Sequence, residues 1–145
     1  MFLIAGFVLL VDQLTKLIVL RKLSEGEFIP VIKNVLDINL VYNTGAAFGI
    51  FRHQTHILTG ISILILILIL IFRRQIADSG RIFQIGFGLI AGGAFGNLID
   101  RLRFGYVVDF IDFRIWPVFN VADSAITAGV ILLLWKIFRR RSTQV

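Results

Sequence analysis

Carboxylates, amides and one ammonium set among apolar residues are where this sequence can do chemistry, and they occur in five places. Asp12 and Lys16 are four apart in an apolar run, so a helix carries both on one face. Asn43 leads into Thr44-Gly45-Ala46-Ala47-Phe48, and Asn97, Asp100 and Arg101 close a glycine-rich segment. Asp109 is the single acid of Val107-Val108-Asp109-Phe110-Ile111, and Asn120 stands three residues before Asp123. A charge at the centre of a membrane span costs at least roughly 2.5 kcal/mol, so such residues need a reason. Each has an ordinary one when taken singly. Asp12 and Lys16 neutralise each other, a turn follows Asn43, and Asp100 with Arg101 makes a surface ion pair. Solvent in a short apolar loop serves Asp109, and Asn120 with Asp123 is usual helix-start chemistry. Taken together they say more. Two carboxylates that converge cannot both ionise, so they share a proton, one acting as base toward water and the other as acid. That is aspartic-protease chemistry, with Asn97, Asn120 and Arg101 on hand to orient the acids or a peptide. The amide of Asn43 and the small residues from Gly45 onward suit an extended substrate backbone.

Other chemistries fit worse. A metal-dependent membrane protease wants a His-Glu-x-x-His helix, whereas the two histidines here, His53 and His56, lie in a loop beside Arg52. With no cysteine there is no thiol nucleophile, disulfide or thiolate site. No metal and no cofactor is expected. A serine–lysine pair of Ser124 with Lys16, the one lysine well inside an apolar span, stays open.

The elements that must position these residues follow from hydropathy. Four segments have the length and apolarity to cross a bilayer: roughly Phe2 to Leu20, Ile57 to Phe72, Ile82 to Ile99 and Val121 to Phe138. The expected fold is an all-α membrane protein, residues 1–145 forming one membrane domain. The first connection, roughly Leu23 to Thr55, is too long for a turn and is expected to hold a small extracytoplasmic β-sheet. Leu36 to Asn43 largely alternates apolar and polar residues, a strand with one wet face, and Phe28 to Ile32 can pair with it across Lys33-Asn34. Gly88, Gly92 and Gly96, spaced by four, let another helix approach closely. Met1 to Leu10 has no basic stretch before it and no small-residue cleavage site after it, and reads as part of a retained first span.

Composition agrees. The 145 residues are 57% hydrophobic, with a mean hydropathy of +0.88, more than one soluble core can bury. The net charge of +6 comes from basic runs beside the spans, at Arg73, Arg74 and Arg81 and at Lys136, Arg139, Arg140 and Arg141. Such clustering is membrane topology rather than a nucleic-acid surface, so no nucleic-acid partner is expected. Both clusters inside place both termini in the cytoplasm and the first and third connections outside. The outer ends of the third and fourth helices then meet, bringing Asp100, Asp109 and Asp123 to the outer membrane surface.

The motifs resemble those of the lipoprotein signal peptidases, also called signal peptidase II, over essentially the whole chain. The matching segments are Val11-Asp12-Gln13-Leu14-Thr15-Lys16, Asn43 to Phe48, Gly92 to Arg101, Val107-Val108-Asp109-Phe110 and Phe119-Asn120-Val121-Ala122-Asp123. The resemblance implies that Asp109 and Asp123 are catalytic aspartates. It makes Asp12, Lys16, Asn43, Gly45, Asn97, Asp100, Arg101 and Asn120 residues that shape the site or hold substrate. It also implies a metal-free peptidase of the bacterial inner membrane, cutting diacylglyceryl-modified prolipoproteins on the N-terminal side of the lipidated cysteine. Apart from the resemblance, a monomer among membrane lipids is expected. Two rivals belong to other classes. A transporter would use Asp12, Lys16 and Asp100 as a relay. An assembly subunit would use the Gly88/Gly92/Gly96 stripe as a partner surface.

Overall fold

The computed structural model describes residues 1–45 and 54–142; Ala46, Ala47, Phe48, Arg52 and His53 lie outside them. Helix α1 (Phe2–Lys22) spans 21 residues, roughly 32 Å at 1.5 Å each. It buries Val8, Asp12, Lys16 and Val19 and turns Leu3, Phe7, Leu10, Leu14 and Ile18 outward. In water that arrangement would be inside out. With lipid around it, the apolar residues are solvated by acyl chains and the charges find partners inside.

Helices α2 (Thr55–Ile71), α3 (Arg73–Asp78), α4 (Arg81–Phe104) and α5 (Val121–Ser142) follow in order around a small sheet. Three of them, α1, α4 and the Val121–Arg139 part of α5, are long and apolar enough to cross a membrane. The second expected span forms a shorter apolar helix, the 17 residues of α2, and the basic connection after it coils into α3 rather than a loop. Helix α4 is central. Its Gly88, Gly92 and Gly96 lie against α1 so closely that a Cβ would meet the Met1 carbonyl, the Ala5 carbonyl and the Asp12 carboxylate. The stripe expected to seat a helix therefore seats α1, and as a surface for another protein it is already covered. On another side of α4, Gly86 and Gly93 meet α5 at Leu133 and Ala122, so α4 and α5 run antiparallel.

The sheet has three antiparallel strands, β1 (Phe28–Ile32), β2 (Leu36–Asn43) and β3 (Val107–Asp112), in that order. The first two were expected, with the turn placed where Asn34 takes a positive φ of 61°. The third corrects two expectations: the sheet is not confined to the first connection, and Val107–Ile111 is a strand rather than a loop. Its β-branched and aromatic residues suit a pleated surface, and Val107 to Phe110 are all buried. The alternation in β2 did not yield one wet face either. Asp37 pairs with Asp112 and Val41 with Asp109, so a bulge between Ile38 and Val41 moves the odd-numbered residues from one face to the other. Asp37 is buried, and Leu40 packs with Val19, Val108 and Phe110 to fix the sheet on the end of α1.

Candidate active site

The bulge in β2 decides what stands beside Asp109. It places Val41 and Asn43 on the Asp109 face, and Asn43 donates its side-chain amide to Asp109 Oδ2 at 2.8 Å. The Asn43 oxygen accepts the Gly45 backbone N–H at 2.9 Å, a local turn that aims the amide nitrogen at the acid. Strand β3 is held by side chains of the helices. Val108 donates its N–H to Asp100 Oδ2 at 3.1 Å, and its carbonyl accepts Asn120 at 3.3 Å.

Asp123 begins α5 and faces the same place. Asn120 and Asp123 cap the helix reciprocally: the Asp123 N–H donates to Asn120 Oδ1 at 2.9 Å and the Asn120 N–H to Asp123 Oδ2 at 3.3 Å. The ordinary reading of this pair holds, and a second role is added to it. Asn120 is fully buried and sends its amide nitrogen to Asp109 Oδ1 at 2.7 Å and to Asn97 Oδ1 at 3.1 Å. Asn97 in turn donates to Asp123 Oδ1 at 2.7 Å. The two acids are thus linked through two amides.

Asp109 and Asp123 line a cavity of about 560 Å³ with Asn43, Gly45, Asn97 and Arg101. One wall is Trp116, Pro117, Val118 and Phe119; the other descends α5 through Ser124, Thr127 and Ala128 to Ile131. Burial, helped by the Asp123 charge, pushes the Asp109 carboxyl up to about 7, against the pull of Asn43, Lys16 and Asn120. A carboxyl that keeps its proton to near neutrality can donate as well as accept. Arg101 brings a cation whose charge is felt by Asp123, Asp109 and Asp100.

Behind this wall lies a buried charge cluster. Lys16 contacts Asp12 at 2.9 Å, Asp100 at 2.8 Å and Asn97 Oδ1 at 3.0 Å. Asp12 also accepts the Ala122 backbone N–H at 2.9 Å, tying α1 to the start of α5. Asp100 is buried against Lys16, so it is not the exposed partner of Arg101 that its position allowed. Of the residues singled out, Asn43, Gly45, Asn97, Arg101, Asp109 and Asp123 reach the cavity, while Asp12, Lys16, Asp100 and Asn120 stand behind it.

Geometry speaks against the serine–lysine pair. The three N–H donors of Lys16 are engaged by three oxygens, and Ser124 donates to its own helix carbonyl, Asn120 O, at 2.9 Å. Among the described residues, no three His, Cys, Asp or Glu side chains gather as metal ligands, and His56 is exposed. Sequence reading missed Gln13, which bridges Asp12 at 3.2 Å and Asp100 at 3.0 Å; an amide beside Asp12 in an apolar run was the available signal. It also missed the pairing of Asp37 with Arg114 at 2.7 Å, and the Trp116–Phe119 wall, which carries no polar signature.

Comparison with known proteins gives a consistent picture. Residues 4–139 match the family model described as Signal peptidase (SPase) II. The lipoprotein signal peptidase of Moorella thermoacetica is 46% identical over 135 residues, covering 93% of this chain and 90% of that protein. That of Halothermothrix orenii is 46% identical over 138 residues, covering 93% and 94%. A bacterial membrane enzyme solved by the in meso method at 2.3 Å superposes with a TM-score of 0.93 at 39% identity, covering 99% of this chain and 90% of that one.

Proposed function

The chain belongs to the signal peptidase II family, and on that premise we propose that it is an aspartic endopeptidase with Asp109 and Asp123 as its catalytic pair. Its substrates are diacylglyceryl-modified prolipoproteins, cut on the N-terminal side of the lipidated cysteine. The observation that carries this reading is the convergence of two buried acids, from β3 and from α5, on one cavity through the amides of Asn97 and Asn120.

The chemistry follows from one shared proton. The ionised member of the pair takes a proton from water, whose oxygen attacks the scissile carbonyl carbon. The protonated member gives its proton to the departing nitrogen as the C–N bond breaks. Arg101 and Asn43 line the same cavity, and in this reading they donate to a peptide carbonyl or the developing oxyanion. The α5 wall of Ser124, Ile126, Thr127, Ala128 and Ile131 offers an uncharged face along which a signal segment can lie, with acyl chains left in the bilayer. In this reading α2 also crosses the membrane, as the second of four spans, and residues 1–145 form one monomeric membrane domain. The termini and the Arg73–Arg81 end face the cytoplasm of a bacterial inner membrane, and the sheet end with its site faces outward. The reaction needs no cofactor.

The test is cleavage of a diacylglyceryl-modified precursor by purified protein in detergent with chelator. Asp109→Asn and Asp123→Asn are each expected to lose roughly 10³-fold in rate, and Ser124→Ala to stay within severalfold of the parent. Cleavage retained in both Asn variants and lost in Ser124→Ala would overturn the aspartate mechanism.

A further inference from the structure

Three asparagine amides meet the two acids, and each must present nitrogen rather than oxygen to do so. For two of them a backbone N–H decides the matter: Gly45 N–H holds the Asn43 oxygen, and Asp123 N–H holds the Asn120 oxygen. Asn97 has no such anchor among the contacts it makes. Its oxygen accepts from Asn120 at 3.1 Å and from the Lys16 ammonium at 3.0 Å, and its nitrogen meets Asp123 at 2.7 Å. An ammonium can only donate, so it admits one orientation of the Asn97 amide: oxygen toward Lys16, nitrogen toward Asp123. Reversed, the amide would set N–H against NH₃⁺ and oxygen against a carboxylate.

We infer that Lys16 is a positioning residue of the proposed dyad, acting through Asn97 to fix which donor each aspartate receives. Lys16 does not line the cavity, so it acts at one remove from substrate. Its own orientation is set by Asp12 at 2.9 Å and Asp100 at 2.8 Å, which take its other two N–H groups. The chain of contacts therefore runs from a buried ion cluster between α1 and α4 through one amide to α5. The charges facing the pair are Lys16 from α1 with its neighbour Asp12, Arg101 from α4, and each acid's own partner, while Asp100 of α4 acts on Arg101 and Lys16. Asp109 feels the Lys16 charge as a pull toward the ionised form, so removing that charge raises the pH at which the pair gives up its last proton.

This inference rests on the aspartate mechanism, and its test separates the two. A double-mutant cycle of Lys16→Met and Asn97→Ala is measured for kcat, KM and the pH profile, beside Asp109→Asn and Asp123→Asn. Lys16→Met is expected to lower kcat at least tenfold with KM within about twofold, and to move the alkaline limb of the profile to higher pH. In the Asn97→Ala background it should cost less than threefold more, because the route it acts by is already gone. Lys16→Gln, which keeps an N–H for Asn97, should recover part of kcat. If Lys16→Met does not fold, Asp12→Asn/Lys16→Met replaces it and keeps the net charge of the cluster unchanged. Failure of both to fold, additive losses in the cycle, or an unmoved pH profile would assign Lys16 to stability alone and overturn the inference while leaving the dyad standing. Cleavage retained in the two aspartate variants would remove the dyad and this inference with it.

Discussion

Asn43, the last residue of β2, donates its side-chain amide to Asp109 across the β2–β3 pair at 2.8 Å. A hydrogen bond to the ionised carboxylate favours that form, so this contact lowers the Asp109 pKa, while burial and the Asp123 charge raise it to about 7. Asn43→Ala removes the lowering influence and leaves the raising ones. The alkaline limb of the pH–rate profile should therefore move upward, by roughly one pH unit for a hydrogen bond to a charged group. Initial rates between about pH 5 and 10 check this, and a limb that stays put or moves down would refute it.

The same raised acid makes the folded state pH-sensitive. Asp109 binds its proton more tightly folded, up to about 7, than unfolded, near 3.8. Stability from this source is fully present below 3.8 and is lost as pH rises through about 7, a loss of up to about 4 kcal/mol. Asp109→Asn has no charge to bury. Its unfolding temperature relative to the parent should rise between pH 5 and pH 8, in the variant expected to be inactive. Thermal unfolding in detergent across that range is the measurement, and parallel curves for the two proteins would show that Asp109 does not titrate in the window.

How far the sequence exposed this site depends on what kind of signal each residue leaves. Charges inside apolar runs are costly, so Asp12, Lys16, Asp100, Asp109 and Asp123 stood out by position alone. Glycines at helical spacing on α4 likewise announced a close helix partner, and α1 is that partner. The third strand was not legible, because Val107–Ile111 is short, apolar on both faces apart from Asp109, and far in sequence from β2. Neither was the bulge, since a one-residue slip leaves the alternation of β2 looking regular while reversing which residues face Asp109. The division between cavity-lining Asn97 and buried Lys16 depends on side-chain direction, which spacing along one helix cannot show when three helices converge.

Gly96 sits where α4 passes the Asp12 carboxylate, and a Cβ there would collide with Asp12 Oδ2. That carboxylate holds both Lys16 and the Ala122 N–H, so it cannot retreat without breaking the cluster. Gly96→Ala should destabilise the protein by about 1–3 kcal/mol as an overpacked contact. Gly6→Ala and Gly60→Ala, on helices where a Cβ meets nothing within 4 Å, serve as controls and should be neutral or gain up to about 1 kcal/mol from helix propensity. Unfolding temperatures of the three variants decide it. Equal losses in all three would mean that packing against Asp12 is not the cause.

Arg114 tethers the cavity wall to the sheet. Its guanidinium reaches Asp37 Oδ2 at 2.7 Å from both Nε and Nη2, and its backbone N–H donates to Asp112 Oδ1 at 2.7 Å. Asp37 is buried, and its other oxygen, Oδ1, has no hydrogen-bond partner among the described residues. Removing the arginine would leave a buried carboxylate with neither oxygen engaged, at a cost of about 1–3 kcal/mol. The Trp116–Phe119 wall follows directly in the chain, so loosening the tether should disturb substrate fit before chemistry. Arg114→Ala is therefore expected to lower the unfolding temperature and raise KM severalfold, with kcat within about threefold. Adding Asp37→Asn removes the stranded charge and should restore most of the stability without restoring KM. If the double variant is no more stable than Arg114→Ala, the buried Asp37 charge is not what Arg114 serves, and the wall is held by its own packing instead.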